Sequence, residues 1–166
     1  AIYGPFGFDI GMLLGNFLLA YFAQSGHEAT PGAREEYRRW LLGIVVDTWN
    51  RFAAEFGRLW RTERTGILYE SALFQEDPLA SEQALQSVLA GIWRDTLGFA
   101  GVEMHRRILG LAHVEDLEAI PDLACRVVAE RRALALGRQM AVLRGTLHSP
   151  AQVCALAENI EIGDLS

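Results

Sequence analysis

Lysine is absent from the 166 residues, and all fifteen basic residues are arginine. A Walker-type phosphate loop, the strand lysine that grips ATP in protein kinases, and Schiff-base catalysis each need a lysine, so this chain alone supplies none of them. Cysteine is nearly as scarce. Cys125 and Cys154 form no Cys-x-x-Cys spacing, which reads as two free thiols of an intracellular protein. Positive charge is in deficit: fifteen basic against twenty-one acidic residues leave a net charge of −6. That balance argues against a nucleic-acid partner, because phosphate backbones are held by clustered positive charge. Long hydrophobic runs are missing too. The most apolar stretch, Ile10 to Ala23, is about 14 residues and includes Asn16, shorter than a membrane span requires. No charged segment precedes it, since the first basic residue is Arg34, so it does not read as a secretory signal. The expectation is a cytoplasmic chain with no membrane partner.

What is present is apolar content at helical spacing. Hydrophobic residues make up 51% of the chain and charged ones 22%, a balance that favours folding over disorder. The length suits one domain, residues 1–166, burying roughly 70% of its unfolded-chain surface. No stretch alternates like a half-buried strand, so the expected fold class is all-α. The first helix is expected from an N-cap at Asp9 to about Gln24, apolar on almost every side and therefore buried all round. A break follows at Ser25 to Gly32. The second helix, Arg34 to Arg61, places Tyr37, Trp40, Trp49, Phe52, Phe56, Leu59 and Trp60 on one broad core arc. A third starts at a Ser81 cap, is interrupted by Gly98 and Gly101, and ends near Gly110. Two glycines inside a helical run suggest a kink or a close backbone approach. A short turn follows at Val114 to Ala119. A long helix is then expected from Asp122 to Leu143, and a last one opens at Ser149-Pro150 and runs to about Glu158, with a frayed acidic tail over 159–166.

Residue chemistry on its own yields little. His105 and His113 are separated by Gly110, a helix end, and His27-Glu28 lacks the second histidine of a zinc motif, so no metal ligands are assigned. Ser25 and Ser149 have no nucleophile motif around them. Gly4-Pro5-Phe6-Gly7-Phe8-Asp9-Ile10-Gly11 suggests a phosphate loop by composition, yet without a preceding strand it reads as a turn feeding a helix. Glu103 stands three and four residues before Arg106 and Arg107, which by helix spacing gives ordinary exposed ion pairs worth a few tenths of a kcal/mol. The alternative reading is that the two neighbouring guanidinium groups donate to sugar hydroxyls or to a phosphate.

Two segments raise that alternative. Tyr3-Gly4-Pro5-Phe6-Gly7-Phe8-Asp9-Ile10-Gly11, continuing to Asn16 and Ala20-Tyr21-Phe22, resembles the helix entry of methylthioribose kinases. Trp93-Arg94-Asp95-Thr96-Leu97-Gly98-Phe99-Ala100-Gly101, through Glu103-Met104-His105-Arg106-Arg107-Ile108-Leu109-Gly110 to Asp116-Leu117, looks like the most distinctive C-terminal stretch of the same family. The second segment is specific, the first is shared with other kinase-like phosphotransferases, and His105 replaces an apolar residue.

The resemblance implies the helical C-terminal lobe portion of a protein-kinase-like fold. Such enzymes transfer the ATP γ-phosphate to the 1-hydroxyl of 5-methylthioribose in methionine salvage. It also implies that the ATP-binding lobe, the catalytic loop and the Mg²⁺ ligands lie upstream of Ala1. ATP and Mg²⁺ are then cofactors of the intact enzyme, with none expected on this chain alone, which should be inactive by itself. Carried over residue by residue, Arg106 and Arg107 match the pair that contacts the sugar. Asp9 matches an aspartate bracing the catalytic loop, and Trp93, Asp95, Gly98 and Gly101 shape the helix that carries the pair. The implied partners are the sugar substrate, the missing N-terminal kinase portion and a second copy in a homodimer. Two other readings remain open: a stand-alone helical binding or dimerisation module without catalysis, and the lobe of an aminoglycoside- or choline-type kinase.

Overall fold

The computed structural model describes residues 4–65, 67–75 and 77–163. Tyr3, the first residue of the helix-entry motif, and residues 164–166 of the acidic tail lie outside them. Six α-helices run in the order α1 (Phe6–Ala23), α2 (Glu35–Thr62), α3 (Pro78–Leu109), α4 (Glu115–Glu118), α5 (Leu123–Val142) and α6 (Pro150–Gly163). Tight 3-10 turns follow α1 and occupy the irregular stretch between α2 and α3. No strand occurs among the described residues, so the architecture is all-α.

The centre of the molecule is α3, packed along α1 on one side and against α5 on another. At 32 residues it is about 48 Å long. Its fit to α1 depends on glycine. Gly7, Gly11 and Gly15 recur every fourth residue, so they share one face. A Cβ at Gly7 would lie 2.6 Å from the Thr96 amide nitrogen, at Gly11 2.6 Å from the Thr96 carbonyl, and at Gly15 3.0 Å from the Ala100 carbonyl. Backbone therefore meets backbone along this seam, and any larger residue would push the helices apart. Gly101 and Gly137 do the same between α3 and α5, where a Cβ on Gly101 would lie 2.4 Å from the Gly137 carbonyl. That is the close approach the sequence suggested, and α3 runs through both glycines without interruption. The imidazole of His105 fills the space left beside Gly137, and its Nδ1 bonds the Gly101 carbonyl at 2.7 Å.

The helix ends differ from expectation in two places. The N-cap of α1 is Pro5, not Asp9, which lies exposed in the first helical turn. The helix starts early because its first residues have tertiary partners: Phe6 packs edge-on to Phe56, Phe8 edge-on to Phe99, and Gly7 seats on α3. The N-cap of α3 is Asp77, whose carboxylate accepts from the Ala80 amide with Pro78 at the first helical position. Ser81 lies inside α3 and accepts instead from the Trp60 indole and Arg64. Asp122 caps α5 through the Cys125 amide, and Ser149 stands before Pro150 as expected.

Burial also departs from the pattern. The second half of α1 is enclosed, with Leu14, Leu18, Leu19 and Phe22 in the core, but Phe6, Phe8 and Leu13 are exposed. By length and composition, Phe6–His27 is sufficient to cross a membrane, with half of its apolar window buried inside the protein. The core residues of α2 are Leu41, Leu42, Val45, Trp49 and Trp60, whereas Tyr37 and Trp40 stack on each other in solvent at 5.3 Å. Helix α6 runs past Glu158 to Gly163, so residues 159–163 of the expected tail are helical. Glu161 fixes this last turn, because Tyr21 Oη donates to it at 2.6 Å and Arg38 pairs with it.

Candidate functional site

The two segments that stood out in the sequence are the two helices of the glycine seam, and the seam ends on a cluster of charge. Gly15 of α1 faces Glu103 of α3, where a Cβ would stand 3.3 Å from the Glu103 Cβ. Without a side chain at Gly15, the Glu103 carboxylate descends between the helices, and its side chain is fully buried. Four N–H groups reach it. Arg106 Nε bonds Oε2 at 2.8 Å and Arg106 Nη2 bonds Oε1 at 2.9 Å. Arg107 Nε bonds Oε1 at 2.7 Å, and Asn16 Nδ2 approaches the same oxygen at 3.3 Å. Asn16 is itself held by the Met12 carbonyl at 2.8 Å.

This arrangement corrects the expectation of ordinary exposed ion pairs. Spacing alone gave the partners but not their depth, and a fully buried carboxylate is costly to ionise unless it is well paired. Burial would raise the Glu103 pKa, but the hydrogen bonds and charges of Arg106 and Arg107 outweigh it and hold the carboxyl below its usual value. The same bonds raise Arg106.

The charge count matters more. Two guanidinium groups share one carboxylate, so the cluster keeps one surplus positive charge. Each guanidinium has five N–H donors. Arg106 spends two on Glu103, while Arg107 spends one there and one on the Ala112 carbonyl at 3.3 Å. Roughly three per residue remain after these bonds, on side chains 45% and 29% exposed. The result is a fixed, partly exposed fan of donors with net positive charge, suited to hydroxyl or phosphoryl oxygens.

The other residues singled out lie elsewhere. Trp93 and Asp95 are about 16 to 21 Å from the pair along α3. Trp93 is buried against Trp49 at 4.6 Å and donates to the Leu147 carbonyl at 2.8 Å, tying α3 to the loop before α6. Asp95 and Asp9 are exposed, Asp95 beside Gly7. Gly98 makes room for Arg144, whose Nη1 would be 3.2 Å from an added Cβ, and Gly101 sits on the α5 crossing. These residues do not gather around the arginines. The sequence reading missed Asn16 as a partner of Glu103 and Gly15 as its seat. The signal was present in the Gly7, Gly11, Gly15 spacing.

Among the described residues no three His, Cys, Asp or Glu side chains come together to hold a metal ion. There is also no lysine anywhere in the sequence to grip a nucleotide phosphate.

No protein-family profile matches the chain. Individual proteins do. Methylthioribose kinase 2 of Oryza sativa subsp. japonica is 40% identical over 147 residues, 87% of this chain and 34% of its own length. The methylthioribose kinase of Escherichia coli O45:K1 (strain S88 / ExPEC) is 40% identical over 139 residues, 84% of this chain and 33% of that protein. The methylthioribose kinase of Geobacillus sp. (strain WCH70) is 38% identical over 157 residues, covering 94% and 34% respectively. The glycine seam and the arginine pair thus belong to a chain that is related in sequence to the methylthioribose kinases and spans about one third of the length of those curated relatives.

Proposed function

We propose that this chain is the sugar-holding helical portion of a methylthioribose kinase, from the C-terminal lobe of a protein-kinase-like fold. The full enzyme would transfer the ATP γ-phosphate to the 1-hydroxyl of 5-methylthioribose in methionine salvage, in the cytoplasm. The observation that carries this reading is the surplus charge over Glu103: two arginines pinned to one buried carboxylate, with donors still facing solvent. Phosphoryl transfer is catalysed mainly by positioning and by stabilising charge on the moving group. Arg106 and Arg107 do both in this reading, donating to sugar hydroxyls in the ground state and to phosphoryl oxygens as charge develops. In this reading ATP and Mg²⁺ are held by the rest of the enzyme.

The test replaces Arg106 and Arg107 singly with Ala in the intact kinase. Each should lower kcat/KM for methylthioribose by about a hundredfold while KM for ATP stays within about twofold. An unchanged kcat/KM would remove the substrate role. The exposed Phe6, Phe8 and Leu13 are apolar surface on which the upstream kinase portion would pack, and the same reading includes a homodimer. Monomeric sedimentation of the intact enzyme at all concentrations would contradict that part.

A further inference from the structure

We propose that Glu103 is the positioning residue of the arginine pair, and that Asn16 extends its control to α1; this rests on the reading that the pair holds substrate. An arginine near the end of a surface helix normally sends its head group outward to water and samples many rotamers. Arg106 and Arg107 are turned inward instead. Their Nε edges meet the same carboxylate at 2.8 and 2.7 Å, and Arg106 adds a second, bidentate bond. Fixing the Nε edge of a planar guanidinium fixes the direction of its remaining N–H groups. Both arginines are thus oriented before any ligand arrives.

The carboxylate in turn has little freedom. Three N–H groups converge on its Oε1 and one on its Oε2, and its side chain is fully buried. Gly15 sets the depth to which it can descend, and Asn16 Nδ2 closes the fourth side at 3.3 Å. Glu103 also sets the charge of the pair. Two guanidinium groups on adjacent residues repel each other, and one shared negative charge lets them lie close while leaving a single positive charge for the ligand. Glu103 makes no contact with substrate in this account and acts only through Arg106 and Arg107.

A positioning role differs from a merely structural one in its dependence on the pair, so the experiment is a double-mutant cycle in the intact kinase. Glu103→Gln should lower kcat/KM for methylthioribose about tenfold with KM for ATP unchanged within about twofold. Introduced into the Arg106→Ala, Arg107→Ala double variant, it should have no further effect beyond about twofold. Glu103→Asp keeps the charge but draws it back by one methylene, and should fall between wild type and Glu103→Gln. It carries the same cycle if Glu103→Gln does not fold. Equal losses in both backgrounds would overturn the positioning role, as would a Glu103→Gln enzyme with wild-type kcat/KM. Should the double arginine variant itself keep wild-type kcat/KM, the substrate reading falls first, and the two failures are told apart.

Discussion

Two ionic clusters in this molecule are built from the same residue types and end in opposite states. Around Glu103, two arginines share one carboxylate, donors are left over, and Arg106 is 45% exposed. Around Glu161, among the described residues, two arginines meet two carboxylates: Arg38 pairs with both Glu28 and Glu161, and Arg132 Nη1 stands 3.9 Å from Glu161. Tyr21 Oη adds a bond to Glu161, and Arg132 Nη2 donates to the Glu161 carbonyl at 3.1 Å. Among the described residues this cluster sets two carboxylates against two arginines, and its arginine side chains are only 14% and 8% exposed. It clasps α6 onto α1, α2 and α5. The first has charge and donors to offer a ligand. The comparison teaches that arginine paired with glutamate is not by itself a functional sign; the surplus after pairing is.

The clearest way to break the comparison is to remove the acid from each cluster. Glu161→Ala removes the carboxylate on which Arg38, Arg132 and Tyr21 converge, so it should cost about 3 kcal/mol, lowering the melting temperature by roughly 6 to 12 °C. It should leave kcat/KM of the folded enzyme unchanged. Glu103→Gln should cost less, about 1 to 2 kcal/mol, because its arginines can turn to water. Differential scanning calorimetry of both variants checks the order, and a reversed order would contradict the assignment of clasp and site.

Acid sharpens the difference. The Glu103 carboxyl is held low, because its arginine bonds outweigh burial. Its stabilisation is therefore fully present above the unfolded carboxylate value of about 4.3 and is lost as pH falls through the lower folded value. Urea titrations of wild type and Glu103→Gln should give a stability gap that is constant from neutral pH to about pH 5 and closes below it. A gap independent of pH would mean that folding leaves the Glu103 pKa unshifted.

The smallest effect is a labelling rate. Burial, with help from Glu158, pushes the Cys154 thiol up to about 11, whereas Cys125 is exposed. Iodoacetamide should react first with Cys125, and Cys154 should become faster in Glu161→Ala, which loosens α6, but not in Glu103→Gln. Equal acceleration in both variants would mean that the clusters are not separable.

How much of this was legible in the sequence depends on what each feature rests on. The all-α class and the helices among the described residues follow from periodicity, and the helix starts at Asp122 and at Ser149-Pro150 follow from local chemistry. Asp9 and Ser81 failed as caps because tertiary contacts of Phe6, Phe8 and Gly7, and the better placed Asp77, moved the helix starts. Tyr37 and Trp40 read as core because helical spacing fixes a face and not what lies opposite it. For the site, the pair Arg106 and Arg107 and their acid Glu103 were visible as a spacing. The depth of Glu103 was not, because it depends on Gly15 and Asn16, which lie 88 and 87 positions away in the chain and meet it only across the α1–α3 seam.

The central claim is that the surplus charge at the end of the glycine seam holds the sugar. Steady-state kinetics of the intact kinase carrying both Arg106→Ala and Arg107→Ala, with methylthioribose and ATP varied separately, tests it most directly. The account predicts a loss of about a hundredfold or more in kcat/KM for the sugar and an ATP KM within about twofold of wild type. A sugar kcat/KM at the wild-type value, or an ATP KM raised as much as that of the sugar, would contradict it.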